Sequence, residues 1–163
     1  FERWWWILPA SLWGVGLLAG ASLPSAHPWL RLGGGLLFAA LMLATTLLHE
    51  LGHVAAAAAV GHRWTVATVT WLGMSVTIEP NQPSGWPRIT RSAAGPLIQA
   101  VAGAAMAATI TLEPWDDLLR GLSWWPVWLA GTTSIAVALL NLLPWPTLDG
   151  GKILRGIKDV LSA

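Results

Sequence analysis

His49-Glu50-Leu51-Gly52-His53 stands inside the run from Leu32 to Gly61, where those two histidines and the glutamate are the only ionisable residues. An H-E-x-x-H pentad on a helix brings two imidazoles to one face, one turn apart. That spacing lets both bind a single zinc ion and leaves the glutamate between them to act as general base. Ionisable side chains are costly in a hydrocarbon-spanning helix and mark function there. A ligand pair in such a helix points to hydrolysis of something that is itself in the membrane.

The composition around the pentad agrees with a membrane setting. Of 163 residues, 55% are hydrophobic and 10% charged, with mean hydropathy +0.58, against about 25% charged in soluble domains. The net charge is +1 and no basic cluster is dense enough to propose nucleic acid as a partner. There is no cysteine, so disulfides and thiolate metal sites are ruled out and any metal must be held by His, Asp or Glu. Thirteen Trp accompany two Phe and no Tyr. Trp4, Trp5, Trp6, Trp124, Trp125 and Trp128 lie at the ends of apolar runs, where indole rings anchor at the headgroup level.

The expected fold class is an all-α polytopic membrane protein, about four transmembrane helices with a small β-hairpin between the second and third. Residues 1–163 are expected to form one membrane-embedded core. Its spans cover about 4–23, 32–60, 89–112 and 122–143, near the ~20 residues each crossing needs. The first closes at Pro24-Ser25-Ala26-His27-Pro28. Although the chain opens at Phe1, that run has no convincing small-residue cleavage site and reads as a retained helix rather than a signal peptide. The third is rich in Ala and Gly, as suits close helix packing in lipid, and the fourth ends against Pro144 and Pro146. Residues 64–79 differ in texture: Thr65 to Trp71 and Met74 to Ile78 are β-branched stretches flanking Leu72-Gly73, which reads as a hairpin. Residues 151–161 read as an amphipathic helix carrying Lys152, Arg155 and Lys158.

If the spans alternate, Arg3, Arg63, Arg88, Arg91, Lys152, Arg155 and Lys158 fall on one side, and only Arg31 and Arg120 on the other. That bias puts both termini, the hairpin and the opening of the site on the cytoplasmic face of a plasma (inner) membrane. The pentad then lies within the membrane, nearer that surface.

Two histidines leave a tetrahedral zinc incomplete; a catalytic site needs a third protein ligand and an open position. Glu2 is terminal, Glu79 ends the hairpin, Glu113, Asp116 and Asp117 fall on the far side, and Asp159 reads as a solvated partner of nearby basic residues. Asp149 is different. It follows the prolines that break the fourth helix, on the same side and at similar depth as the pentad. Broken helices are tolerated in a membrane where they line a polar cavity, and a ligand carboxylate would be needed there.

His49-Glu50-x-x-His53, followed downstream by Asn141-Leu-Leu-Pro144-Trp-Pro-Thr-Leu148-Asp149-Gly150-Gly151, resembles the site-2 protease family of intramembrane zinc metalloproteases. Ala94-Gly95-Pro96, at the opening of the third span, is similar to that family's A-G-P segment, and the resemblance covers about residues 36–157. It implies His49, His53 and Asp149 as ligands of one zinc ion per chain, with Glu50 as the base. Asn141 and Pro144, with Gly95 and Pro96, are the residues expected to shape the site or hold substrate. Asn141 would either orient substrate backbone, steady the Asp149 loop, or satisfy carbonyls freed by Pro144. Gly95 and Pro96 are expected to serve helix packing rather than touch the chemistry. The sequence departs from the pattern at Gln99, where the family often carries Asn. These residues also leave no room for the PDZ or CBS modules of some members.

The resemblance implies an intramembrane zinc metalloendopeptidase that cuts a single-pass membrane protein in or near its transmembrane segment, in regulated intramembrane proteolysis. The lipid bilayer and accessory membrane subunits are the other expected partners. The hairpin is expected either to cap the cavity or to pair its free edge with an unwound substrate segment by strand addition. A competing class is a non-proteolytic, protease-like subunit of a larger membrane assembly. Decayed ligands or a lost glutamate would mark it, and all four residues are present. A soluble zincin conflicts with the hydropathy.

Overall fold

Helix α1 (Ile7–Ala21) packs along α2 (Pro28–Ala59), and a β-hairpin of β1 (Arg63–Thr70) and β2 (Gly73–Glu79) follows. Helices α3 (Gly85–Ala108), α4 (Asp117–Asn141) and α5 (Asp149–Leu161) complete the chain. This is a computed structural model, and it describes residues 7–21, 27–70, 73–79, 83–109 and 117–163. Glu2, Arg3, Trp4, Trp5, Trp6, Pro24, Trp71, Leu72, Glu113 and Asp116 lie outside the described residues, as do the outer ends of the first span and the last residues of the third. The described chain is mainly helical, with one two-stranded antiparallel sheet.

Helix α2 starts with Pro28 in its first turn, where a missing N–H costs nothing and the fixed φ suits a helix. It stops at Gly61, whose φ of 76° is left-handed and favours glycine. The Gly61 N–H donates to Ala58 O at 3.1 Å and the His62 N–H to Ala57 O at 2.8 Å, the paired bonds that close a helix C-terminus. Among the described residues α2, with 32 residues, is the one helix long and apolar enough to cross a membrane by length and composition. Helix α1 is apolar but has 15 residues.

Helices α2, α3 and α4 pack on one another. Phe38 and Met42 of α2 meet Ala130 of α4, flanked by Leu12 and Met106. Glycine permits the closest approach: a Cβ on Gly103 would lie 2.7 Å from Gly131 O, and one on Gly131 would lie 2.7 Å from Gly103 O. Thr45 and Ser134, both buried, share a hydroxyl hydrogen bond of 3.0 Å between α2 and α4, the kind of polar contact that joins helices in lipid.

Three local expectations are corrected. Trp125 is 4% exposed and is not an interfacial anchor, whereas Trp124 and Trp128 are 41% and 47% exposed. Its indole fills a slot over Gly20 and Gly34, and a Cβ on Gly34 would overlap the ring. Helix α3 begins at Gly85 instead of 89: Asp159 Oδ2 accepts from the Gly85 N–H at 3.1 Å and pairs with Arg88 at 2.9 Å. Asp159 is therefore a tie between α5 and α3. Helix α5 begins at Asp149 instead of 151, and a carboxylate in a first turn suits the helix dipole.

The hairpin register runs from Arg63↔Glu79 to Thr70↔Gly73, with an irregularity between Trp64 and Val66. It packs on α2, and Ile78 of β2 is buried. Residues of α2, β2, α3 and α5 line a common cavity of about 820 Å³.

Candidate metal centre

His49 and His53 project from one face of α2, as their spacing requires, with Nε2 atoms 3.1 Å apart. Asp149 Oδ2 lies 3.3 Å from His49 Nε2 and 3.3 Å from His53 Nε2. All three groups are largely withdrawn from solvent.

The opposite nitrogen of each ring is held by α3. His53 Nδ1 lies 2.6 Å from Arg91 O. A carbonyl only accepts, so this ring carries a proton on Nδ1, and in its neutral form the lone pair of Nε2 faces the site. His49 Nδ1 donates to Gln99 Oε1 at 2.9 Å, with Gln99 2% exposed. With both rings in that neutral form, two imidazole lone pairs and a carboxylate oxygen would face one another, an arrangement that a cation makes favourable. Ligands about 2.0–2.1 Å from zinc at the tetrahedral angle stand about 3.3 Å apart. The observed 3.1, 3.3 and 3.3 Å match the edges of that tetrahedron. Two imidazoles and a carboxylate are also a donor set that suits zinc.

Glu50 is a rival third ligand, since its carboxylate and the two rings have donor atoms within 4.8 Å of one another. Asp149 makes the shorter approach to both rings. Glu50 lines the cavity with Val76 of β2, beside the site, where a base is needed.

The path from α4 to α5 brings Asp149 in. After Asn141 the chain turns back, with the Trp145 N–H donating to Leu143 O at 2.7 Å and the Leu148 N–H to Trp145 O at 3.0 Å. The two glycines after Asp149 lie directly on this loop: a Cβ on Gly150 would overlap Leu142 O, and one on Gly151 would overlap Trp145 O. Arg155 donates from both terminal nitrogens to Pro146 O at 3.2 Å. Burial works against the charge on Asp149. The Lys152 ammonium, whose Nζ donates to Oδ1 at 2.8 Å, favours it.

The other expected site residues divide. Asn141 lines the cavity at the end of α4, whereas Pro144 is exposed in the loop and is not part of the lining. Pro96 is buried inside α3, where it cannot supply the N–H that would bond to the Ser92 carbonyl. Gly95 lets α3 pack closely against the two rings. A Cβ there would lie 2.5 Å from both Cε1 and Nε2 of His53 and 3.0 Å from His49 Cδ2. The A-G-P segment sits in the third turn of α3 rather than at its opening. Sequence reasoning assigns Gln99 and Lys152 no role in the site. The usable signal is spacing: Arg91, Gly95 and Gln99 recur every four residues and so share the face of α3 that meets the pentad.

The profile of the Peptidase M50B-like family matches residues 21–129, and that of peptidase family M50 matches residues 115–162. A protein of Synechocystis sp., provisionally named a zinc metalloprotease, is 29% identical over 145 residues, covering 89% of this chain and 36% of its own. A Mycobacterium tuberculosis protein, Rip3, with the same provisional name, is 33% identical over 139 residues, covering 81% of this chain and 33% of its own. The chain thus spans about a third of the length of these curated relatives. No solved structure matches. With both profiles and both relatives in agreement, the chain belongs to the M50 peptidases, the site-2 protease family.

Proposed function

We propose that this chain is the catalytic core of an intramembrane zinc metalloendopeptidase, with one zinc ion held by His49, His53 and Asp149. The observation that carries the reading is the position of Asp149 Oδ2, 3.3 Å from each pentad Nε2. When bound, zinc supplies Lewis-acid charge that polarises a carbonyl and brings the pKa of water to about 7. Glu50 takes a proton from the attacking water and returns it to the leaving amine, so one peptide bond breaks and one water is consumed. The ligands are buried, and the cavity gives the substrate and the attacking water room beside Glu50.

The substrate proposed is a single-pass membrane protein cut in or near its transmembrane segment, in regulated proteolysis at the plasma (inner) membrane. Four spans with the site opening to the cytoplasm are the matching topology, supported by α2 and by the distribution of Lys and Arg that alternating spans would give. A helix must be unwound before its peptide bond can be attacked. Strand β2 suits that task, since Ser75, Val76 and Ile78 line the cavity together with Glu50. Substrate added along β2 would enter beside the base. Asn141, at the cavity wall, is the proposed partner for substrate backbone. Accessory membrane subunits are proposed for substrate selection.

The test is cleavage of transmembrane substrates by detergent-purified protein and by Glu50→Gln. Wild type should cut and bind zinc. The variant should keep the zinc and lose about 10²–10⁴-fold in rate, the usual share of a positioned base. Zinc bound without Glu50-dependent cleavage, together with stable co-purifying subunits, would instead make this a non-proteolytic component of an assembly.

A further inference from the structure

Lys152 lies one turn after Asp149 on α5, and its Nζ donates to Asp149 Oδ1 at 2.8 Å. The Asp149 side chain is 6% exposed and that of Lys152 46% exposed, so the ammonium reaches inward from the mouth of the cavity to a buried carboxylate. The other oxygen, Oδ2, is the one 3.3 Å from both imidazoles. Each oxygen of Asp149 therefore has its own partner.

This division matters for a metal ligand. A carboxylate can ligate through one oxygen or both, and its terminal torsion is soft. A cation on Oδ1 fixes that torsion and withdraws Oδ1 from the ion, leaving Oδ2 as a single donor. One-oxygen ligation keeps the fourth tetrahedral position open, as a catalytic zinc site requires. Arg155, one turn further along α5, is committed to Pro146 O and steadies the loop instead. Arg88 is paired with Asp159.

We propose that Lys152 is a positioning residue that holds Asp149 in one-oxygen geometry. The proposal rests on the reading of His49, His53 and Asp149 as zinc ligands. It assigns Lys152 a task beyond the topological one of a basic residue on an amphipathic helix.

The experiment uses the detergent-purified chain as wild type, Lys152→Met, Lys152→Gln, Lys152→Arg and, as a control on the same helix, Lys158→Met. Zinc affinity is read by competition with a chelator, and coordination by the visible absorption of the cobalt(II)-substituted protein, which is intense for four ligands and weaker for five. Lys152→Met and Lys152→Gln should weaken zinc binding by about 10–100-fold, as loss of an outer-shell partner does, and should lower the cobalt absorption. Lys152→Arg should restore most of both, and Lys158→Met should match wild type. Wild-type affinity and spectrum in the Met and Gln variants would overturn the Lys152 role while leaving the zinc reading intact. A wild-type protein that takes up neither zinc nor cobalt would overturn both.

Discussion

Gln99 Oε1 accepts from His49 Nδ1 at 2.9 Å, and the amide is almost fully buried in the face of α3 that meets α2. The bond sets the tautomer and the swing of the ring, so that Nε2 meets Asp149. The amide at this position is one methylene longer than the Asn that often stands there in the family, and it still reaches the imidazole.

Gln99→Leu should therefore weaken zinc binding by about 10–100-fold, the usual cost of losing a partner behind a metal-ligating histidine. Gln99→Glu keeps an acceptor and should lose less. Chelator competition on the purified variants checks both, and an unchanged affinity in Gln99→Leu would remove the orienting role.

Gly95→Ala tests the close approach of α3 to the rings. The added Cβ would lie 2.5 Å from His53 Nε2, the atom that faces the proposed ion. Overpacking of this kind costs about 1–3 kcal/mol, and here the displaced group is itself a ligand. Loss of zinc should exceed loss of fold, as read by metal content against helical circular dichroism.

The loop glycines should behave differently. Gly150→Ala and Gly151→Ala set a methyl against the carbonyls of Leu142 and Trp145, which are backbone and cannot swing away. Both variants should lower thermal stability and bind zinc weakly, because the turn that delivers Asp149 can no longer close. Wild-type melting temperatures would show that the fold-back is not required.

Ser134→Ala supplies a contrast within the same bundle. It removes the 3.0 Å bond to Thr45 between α2 and α4, worth about 0.6 kcal/mol on average between membrane helices. Unfolding in bilayers should show a small loss, with zinc affinity unchanged because neither hydroxyl touches the site.

The pentad, the hairpin and the broken segment before Asp149 are legible because each has a local signature: a one-turn spacing, a β-branched run, and prolines followed by glycines. The roles of Gly95, Gln99 and Lys152 are not, since they depend on which side chain of another helix lies opposite. Trp125 makes the same point. Its sequence neighbours resemble an interfacial belt, yet Gly20 and Gly34 on two other helices open the slot that buries it. Hydropathy also starts α3 and α5 too late, because the polar contact of Asp159 with Gly85 and the inward turn of Asp149 are tertiary facts.

The most direct measurement is zinc stoichiometry and affinity of the purified wild-type chain beside Asp149→Ala, a residue far from the pentad in sequence. One zinc per chain is expected in wild type, and loss of tight binding in the variant, with helical content retained. Wild-type zinc affinity in Asp149→Ala would be the contradicting result, because the ion would then be held without the carboxylate that lies 3.3 Å from both imidazoles.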